Sequence, residues 1–337
     1  MDRLEGKSVL IVGAGGFIGG FIADEALRRG MDVTVGVRAS TSRRYLTDSR
    51  LKFLVLDYDS SDAVTAAIAQ APVWDYIIYN LGATKALNYI DFKHINFEYL
   101  RTFCEALKAT GHVPTRLLYM SSLSALGPGD EKGYTPLRSD MFPQPNTRYG
   151  QSKVMAEQYL EHFAGIPYII FRPTGVYGPH EKDYLMMIKS IDSHFDFGVG
   201  YRRQMLTFIY VDDLVRAMFE ALAAGVENRK YIISEPKAYS QKEFRDIVAK
   251  ELGGKWVIPV KLPLWTVWAA SAAAEKIAKL QCKTSTLNRD KFRIMRQRNW
   301  NADISDAVRD FGFSPEVDLR EGIRRTVAAY RASREKS

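Results

Sequence analysis

Short apolar runs alternate with longer stretches of mixed polarity through the first two thirds of the chain. The apolar runs predict β-strands at residues 8–12, 33–37, 53–56, 76–80, 116–121, 168–172 and 231–234. The stretches between them predict helices at residues 17–29, 63–69, 96–110, 149–163 and 212–224. Strands that are apolar throughout and alternate with helices are typical of a parallel sheet covered on both faces. The pattern therefore predicts an α/β fold with a doubly wound parallel sheet.

The rhythm changes after residue 235, where helical patterns dominate and one strand signal remains near residues 255–260. We therefore expect a sheet domain of residues 1–175 and 206–234, and a smaller, mostly helical substrate-binding region of residues 176–205 and 235–337. A long polar loop covers residues 127–148. Loops of this length are usually functional or disordered, so the sequence predicts a mobile flap that faces the substrate.

A glycine-rich turn joins the first predicted strand to the first helix. Glycines at 13, 16 and 19 allow a tight turn, close approach of the backbone to a pyrophosphate, and close packing of helix against strand. The N-terminus of the helix that follows offers free N–H groups and a favourable dipole to phosphate. The turn predicts a Rossmann-type dinucleotide site at Gly13, Gly15, Gly16, Phe17, Ile18 and Gly19.

The end of the second strand bears on the choice of cofactor. Sites that select NAD usually place Asp or Glu there, to bind the ribose 2′-hydroxyl. This chain has Arg38, followed closely by Ser40, Thr41 and Ser42. A guanidinium can bind a 2′-phosphate through paired charged hydrogen bonds, which favours NADP over NAD, although a solvated basic turn has the same composition.

Two further segments at strand ends are candidates for the cofactor site. Asp57 and Tyr58 follow the third strand, where Asp57 either accepts a hydrogen bond from the adenine amino group or only caps the strand. The fourth strand ends in Asn80 and the small residues of Leu81-Gly82-Ala83, which let the backbone approach the ribose on the nicotinamide side.

Tyr149 and Lys153 open a predicted helix four residues apart, so their side chains share one face. Hydride transfer to a ketone leaves an oxygen that must take a proton, and a neighbouring ammonium group favours the phenolate form of a tyrosine. The fifth strand ends in serines, at the edge where open α/β sheets bind ligands. The pattern predicts Ser122, Tyr149 and Lys153 as a hydride-transfer site, with Ser124 as the alternative hydroxyl. The opposing interpretation is a packed tyrosine with a surface lysine.

Together these motifs resemble the extended short-chain dehydrogenases/reductases of the NAD-dependent epimerase/dehydratase superfamily. The resemblance covers nearly the whole chain and rests on VGAGGFIGG, LDYD, NLGA, YMSSLSALG, YGQSK, FRPTGVYGP and FIYVDDL. It implies that Ser122 is the catalytic hydroxyl, Tyr149 the proton donor or acceptor, and Lys153 the residue that activates the tyrosine. It further implies cofactor-site positions at Asn96, on a helix near the active site, and at Arg172, Pro173 and Thr174, which border nicotinamide and substrate.

The substrate is less well defined. Relatives that act on nucleotide sugars often carry Asn after the Arg-Pro pair, where this chain has Thr174-Gly175. Residues 262–280 are unusually apolar, and residues 282–300 are rich in Lys and Arg. These features favour a ketone on a keto-sphingoid, sterol or other lipid, and resemble the branch that contains 3β-hydroxysteroid dehydrogenases and dihydroflavonol-type reductases. The alternatives are a nucleotide-sugar epimerase or dehydratase and a non-catalytic NADP-sensing protein.

Charge and cysteine content add limits on partners. The formal net charge is +8, and the basic excess lies between residues 276 and 298. It indicates an anionic substrate, contact of residues 262–298 with an anionic membrane surface, or solubility alone. Cys104 and Cys282 are isolated, so neither a disulfide nor a metal site is predicted, and the basic residues do not form a nucleic-acid patch.

The length of the apolar runs and the analogy with relatives give expectations about location and assembly. No apolar run reaches the length of a membrane-spanning helix, so we expect a cytoplasmic protein, either free or peripheral to the inner face of a membrane. Helices 96–110 and 149–163 correspond to a pair that forms a homodimer interface in many relatives, which makes a homodimer an expectation by analogy.

Overall fold

The structure is a computed structural model that describes residues 3–281, 285 and 287–335. The strands are β1 (Ser8–Val12), β2 (Asp32–Val37), β3 (Lys52–Val55), β4 (Tyr76–Tyr79), β5 (Arg116–Met120), β6 (Tyr168–Pro173), β7 (Gly175–Tyr177), β8 (Phe195–Val199), β9 (Met205–Leu206), β10 (Phe208–Tyr210), β11 (Arg229–Ile233), β12 (Tyr239–Ser240) and β13 (Ile258–Leu262). The helices are α1 (Phe17–Arg28), α2 (Ser61–Ala69), α3 (Tyr89–Lys93), α4 (Tyr99–Ala109), α5 (Arg148–His162), α6 (Lys182–Asp192), α7 (Val211–Ala224), α8 (Gln241–Glu251), α9 (Leu264–Leu280), α10 (Arg289–Arg296), α11 (Ser305–Phe311) and α12 (Leu319–Glu335). A π-helical turn (His94–Glu98) joins α3 to α4, and a 3-10 turn (Leu123–Ala125) follows β5.

A seven-stranded sheet forms the centre of the protein, in the order β11-β6-β5-β4-β1-β2-β3. Every neighbouring pair in it is parallel. β1 and β4 are almost entirely buried, as expected for strands covered on both faces. The chain order reverses between β1 and β4, and in such sheets ligands bind at this point, outside the carboxyl ends of the strands. The predicted fold class is confirmed.

Helices cover both faces of this sheet. One core contains Ile22 of α1 and Leu214 of α7, and the other contains Phe103 of α4 and Leu160 of α5. The first core also contains Ala307 and Phe313. The predicted division assigns both to the substrate-binding region, whereas the structure packs this part of the C-terminal segment against the sheet domain.

The substrate-side region has cores of its own. Residues of α6, α8 and α12 pack with β7 and β10 around Phe208, Phe244 and Ile323. β8 and β13 form a separate parallel pair. α9 and α10 pack at the end of this pair, where Val199, Val267 and Phe292 form a small cluster.

The polar loop that precedes α5 is fixed by the C-terminal segment. The amide of Asn299 donates to the carbonyls of Asp130 (3.0 Å) and Thr135 (2.8 Å). The backbone N–H of Leu137 donates to the carbonyl of Asn301 at 2.9 Å, and the Gln297 amide donates to the carbonyl of Gly127 at 3.1 Å. These bonds join the loop to residues 297–301 and make it a wall in front of α5, and its mobility stays a prediction.

Three further expectations concern isolated features. Cys104 is buried and unpaired, whereas Cys282 lies outside the described residues. Among the described residues, no cluster of three or more His, Cys, Asp or Glu side chains could hold a metal ion. No described helix is long and apolar enough to cross a membrane.

Candidate active site

The glycine turn lies between β1 and α1, and its shape depends on missing side chains. Gly13 has a φ of +84°, and a Cβ there would lie 2.7 Å from the amide nitrogen of Leu81. A Cβ on Gly19 would lie 2.5 Å from the carbonyl oxygen of Gly13. α1 begins after Gly16, which provides no side-chain cap for the first amides of the helix. The turn therefore presents the uncapped, positive end of a helix, which suits a pyrophosphate.

Arg38 stands at the carboxyl end of β2, beside the glycine turn. Its backbone N–H donates to Thr41 Oγ1 at 3.0 Å, and the Thr41 methyl group occupies the space that a Cβ on Gly15 would need. The Arg38 side chain is exposed and faces the segment after β3. Burial raises the pKa of Tyr58, and the nearby Arg38 opposes that rise. Arg38, Asp57 and Tyr58 thus lie together, although the Tyr58 ring is buried and stacks on Tyr99.

Asn96 holds the segment after β4 in place. Its side chain accepts from the N–H of Ala83 at 2.7 Å and donates to the carbonyl of Ala83 at 3.0 Å. It also donates to the Ser152 hydroxyl at 2.9 Å, and that hydroxyl donates to the carbonyl of Tyr149 at 2.7 Å. Asn96 lies in the π-helical turn, a local form that is frequent at functional sites. It therefore connects the Leu81–Ala83 segment to the helix that carries Tyr149.

Ser122, Tyr149 and Lys153 meet at the carboxyl edge of β5. The side chain of Ser122 lies next to the Tyr149 hydroxyl and favours the phenolate form of that tyrosine. Lys153 Nζ donates to the carbonyl of Met120 at 2.8 Å and lies 6.0 Å from the centre of the Tyr149 ring. Gly82 leaves room for it, since a Cβ there would lie 3.0 Å from Lys153 Nζ. The N–H of Ser124 donates to Ser122 Oγ at 3.2 Å, so the predicted alternative hydroxyl belongs to the turn that holds Ser122.

The electrostatics of this trio differ from the sequence-based expectation. Burial lowers the pKa of Lys153 to about 7, and the carboxylate of Glu157 opposes that shift. Burial also raises the pKa of Tyr149 to about 12, and the neighbouring Ser122 hydroxyl, which favours the phenolate, opposes that rise. The low-dielectric pocket disfavours both charges. In the protein alone, desolvation therefore outweighs the attraction between ammonium and phenolate on which the expectation relied.

The Arg172 side chain binds other groups inside the protein. Its guanidinium donates to Glu157 from Nε at 3.0 Å and from Nη2 at 2.5 Å, and to the carbonyl of Ser139 at 2.9 Å. Both members of the ion pair are buried. The guanidinium is therefore held within the protein, and the placement of residues 172–174 beside nicotinamide and substrate stays a prediction. Thr174 is also buried and its hydroxyl donates to Ser234 at 3.1 Å, while Pro173 ends β6 in the core of the sheet.

Sequence reasoning missed Glu157, although it lies four residues after Lys153 on the same helix. It also missed Asp290, which caps the catalytic helix. The Asp290 carboxylate accepts from the N–H of Arg148 at 2.8 Å and from the N–H of Tyr149 at 3.3 Å, and burial raises its pKa. A carboxylate at a helix N-terminus satisfies free amides and complements the dipole. Asp290 is 141 residues from Tyr149, so no local pattern could have indicated it.

A nicotinamide dinucleotide fits this arrangement. The residues of the glycine turn, Gly13 to Gly19, are shaped to hold the pyrophosphate, and Arg38 and Asp57 lie at the adenosine end. Lys153 lies at the other end, beside Gly82, in a position to hold the ribose on the nicotinamide side.

The chain is similar in sequence or in structure to several named epimerases, dehydratases and short-chain dehydrogenases/reductases. The chain is 24% identical to a putative UDP-glucose 4-epimerase of Methanocaldococcus jannaschii, over 95% of this chain and 97% of that protein. It is 26% identical to the human short-chain dehydrogenase/reductase family 42E member 1, over 82% of this chain and 75% of that protein. The structure of DesIV, a dTDP-glucose 4,6-dehydratase of Streptomyces venezuelae with NAD bound, has a TM-score of 0.78 at 19% identity, covering 98% of each chain.

The family model named NAD dependent epimerase/dehydratase family matches residues 9–234. This range contains the glycine turn, the serine-tipped β5 and the helix with Tyr149 and Lys153. Membership implies an enzyme of this superfamily that uses a nicotinamide dinucleotide. On a match of this extent, the chain belongs to the NAD-dependent epimerase/dehydratase family.

Proposed function

We propose that the protein is an NADP(H)-dependent oxidoreductase that reduces a ketone, or oxidises the corresponding alcohol, on a largely apolar substrate. The observation that carries the proposal is that Ser122, Tyr149 and Lys153 lie together at the carboxyl edge of the sheet, with Lys153 Nζ 6.0 Å from the Tyr149 ring and bonded to the carbonyl of Met120. A sensor of the cofactor needs no such trio, so a catalytic role is favoured over a binding role.

The bound dinucleotide supplies the hydride or accepts it, and side chains of the protein transfer the proton. The hydroxyl groups of Ser122 and Tyr149 are neighbours, and both would polarise a carbonyl oxygen placed between them by hydrogen bonding. With its pKa raised to about 12, Tyr149 is protonated at neutral pH and suited to donate its proton as negative charge develops on that oxygen. Lys153 stabilises the phenolate that remains, because a cation close to it lowers the cost of the charge.

The preference for NADP rests on Arg38. It is exposed at the end of β2, the position at which NAD-selective sites place a carboxylate. Its guanidinium offers a planar donor fork to a 2′-phosphate. Arg38→Ala should weaken the binding of NADPH far more than that of NADH, whereas Arg43→Ala, which removes a guanidinium stacked on Phe53 at 4.1 Å, should affect both weakly and equally. Equal loss for both cofactors on Arg38→Ala would refute the preference.

The apolar nature of the substrate is supported by the composition of α9, which reaches the start of α5 at Glu275, 3.7 Å from Arg148. The segment 262–268 is apolar and reaches the solvent through Leu264, Trp265 and Trp268. The Thr174 hydroxyl is bonded to Ser234 within the protein instead of facing a ligand. We therefore favour a keto-sphingoid, sterol or similar keto-lipid.

A second candidate is an epimerase or dehydratase of a nucleotide sugar. It is favoured by the relatives whose names give such activities, among them the putative UDP-glucose 4-epimerase. The two candidates differ in cofactor use: a reductase consumes NADPH stoichiometrically, whereas an epimerase or dehydratase shows no net consumption. Turnover of UDP-, GDP- or dTDP-sugars without change in NADPH absorbance would select the second candidate.

The catalytic assignment is tested by Tyr149→Phe. This variant should retain cofactor binding, measured by quenching of protein fluorescence with NADPH, and should lose at least about a hundredfold in turnover because the proton donor is missing. Tyr159→Phe is the matched control, since Tyr159 lies on the same helix and packs in the core shared with α4. Unchanged turnover in Tyr149→Phe would overturn the assignment.

A further inference from the structure

Large apolar side chains are exposed along one side of α9. Trp265 is 72% exposed, Trp268 53% and Leu280 79%. The opposite side of the helix packs into the protein through Val267 and Ser271, which are buried. At 3.6 residues per turn, Trp265, Lys276 and Leu280 lie on the side opposite to that pair, with Trp268 beside them. We call this side of α9 the tryptophan face.

The apolar surface continues from the tryptophan face onto the neighbouring strands. β8 pairs with β13 so that Phe195 is opposite Ile258 and Phe197 opposite Val260. Further along the same side of this pair, Val199 is covered by Val267 of α9. Phe195 and Phe197 therefore belong to the uncovered part of a surface on which α9 rests, and both are exposed. Contiguous exposed apolar area of this kind marks an interaction site.

The segment that contains α9 and α10 is rich in positive charge. Residues 261–298 contain nine Lys and Arg against two acidic residues, so the segment holds most of the chain's net charge of +8. Lys261 precedes α9 and is exposed, Lys276 lies on the tryptophan face, and Arg296 is exposed at the end of α10. An apolar helix face with tryptophans and nearby cations is suited to a negatively charged lipid surface, and it is less suited to an apolar protein partner.

A cavity at the start of α9 adds a second feature. It is lined by Tyr201, Arg202, Leu264, Trp265 and Arg298. The Arg298 side chain is buried, and its guanidinium forms no hydrogen bond or ion pair with another residue of the described chain. Burial lowers the pKa of Arg298, and the Glu131 carboxylate opposes that shift. A largely desolvated cation next to apolar side chains is stabilised by an anion. A lipid provides the phosphate of its headgroup for the cation and its acyl chains for the apolar side chains.

We propose that the tryptophan face of α9 seats the protein on an anionic lipid bilayer, with a headgroup phosphate in the cavity of Arg202 and Arg298. The helix has 17 residues, about 25 Å in length, and lies in the plane of the interface. Its inner side touches the catalytic helix, where Glu275 and Arg148 are 3.7 Å apart. An apolar substrate could then pass from the bilayer to the site; this role in delivery rests on the proposed function, whereas binding to lipid does not.

The test uses the full-length protein and sedimentation with vesicles of phosphatidylcholine alone or mixed with phosphatidylglycerol. We expect binding to the mixed vesicles, with a blue shift of tryptophan fluorescence, and a decrease in binding at high salt. The double variant Trp265→Ser/Trp268→Ser should bind at least about tenfold more weakly. Lys261→Glu/Lys276→Glu should lose a similar factor for the anionic vesicles only. Phe163→Ser removes a side chain that is 70% exposed directly after α5 and serves as the control with unchanged binding.

Two results would overturn the proposal. One is absence of binding to anionic vesicles by folded protein, as judged by thermal unfolding. The other is a dimer in sedimentation velocity that dissociates in Trp265→Ser/Trp268→Ser, because a second copy of the chain would then occupy the face. Arg298→Gln separates the headgroup site from the apolar face: it should reduce the preference for phosphatidylglycerol and leave binding to the apolar interface. Loss of turnover on soluble ketones in Tyr149→Phe, with vesicle binding intact, would distinguish failure of one proposal from failure of the other.

Discussion

Glu157→Gln is expected to be the most damaging single substitution near the active site that does not touch a reacting group. The carboxylate of Glu157 receives two hydrogen bonds from Arg172 and one from the Ser121 hydroxyl. Replacing it with a neutral amide leaves the Arg172 guanidinium buried without a counter-charge. Removing one partner from a buried ion pair costs about 3–5 kcal/mol.

The magnitude can be measured as a shift in unfolding. With about 2.1 cal/mol/K of unfolding entropy per residue, each kcal/mol lowers the thermal midpoint of this 337-residue chain by roughly 1.4 °C, so Glu157→Gln should lower it by about 4–7 °C. Glu161→Gln is the matched control on the same helix. Glu161 pairs with Lys230 near the surface, where an ion pair contributes about 1 kcal/mol or less.

A double variant tests the cause. In Glu157→Leu/Arg172→Met both charges are absent, and apolar replacements of a buried ion pair are often neutral or stabilising. The double variant should therefore be more stable than Glu157→Gln, although it still lacks the bond from Arg172 to the Ser139 carbonyl. If Glu157→Gln and Glu161→Gln shift the midpoint equally, or if the double variant is less stable than the single one, the buried charge is not the reason for the loss.

Three other predictions follow from the same site. The pKa of Lys153 is about 7 in the folded protein and near 10.5 in the unfolded chain, so between these values only the unfolded chain binds the proton. The stability of the wild type should therefore rise between pH 7.5 and about 9.5 relative to Lys153→Met. Parallel pH profiles of the two thermal midpoints would contradict this. Asp290→Ala should lower the free energy of unfolding by about 1 kcal/mol through loss of the helix cap and should reduce turnover by displacing Tyr149; stability and rate that both match the wild type would rule out the capping role. Gly13→Ala should abolish NADPH quenching because its Cβ would meet Leu81, whereas Gly6→Ala, at a φ of +73° with nothing within 4 Å, should keep it. Equal binding by both variants would refute the collision with Leu81 as the reason for a glycine at residue 13.

Local patterns predict much of the sheet domain. The apolar run of β1 and the glycines at 13, 16 and 19 place the first strand, turn and helix correctly, because strand burial and turn geometry are decided by neighbouring residues. Tyr149 and Lys153 were identified by their spacing on one helix. The predicted helix at residues 96–110 missed the π-helical turn around Asn96, whose extra residue per turn is set by long-range hydrogen bonds to Ala83 and Ser152.

Several features of the site that the sequence pattern does not indicate have a common physical origin. Arg172 looks like a ligand-binding residue in sequence, but Glu157 reaches it across the space between α5 and β6. The loop before α5 looks free, but its carbonyls are bound by Asn299 and Gln297, more than 150 residues away. Desolvation of Lys153 and Tyr149 is a property of the assembled pocket. Interactions between distant segments, which hydrophobic pattern does not encode, decide each of these cases.

The Asp290 cap has a consequence for protein engineering. The match to the family model ends at residue 234, yet the first amides of α5 and the wall before it are held by residues 290–301. A chimera that exchanges only the C-terminal half with that of a relative would change these supports while leaving the reacting side chains untouched. Recombination for a new substrate range should therefore transfer residues 127–147 together with the C-terminal half, as a single module assembled from two separate stretches of the chain.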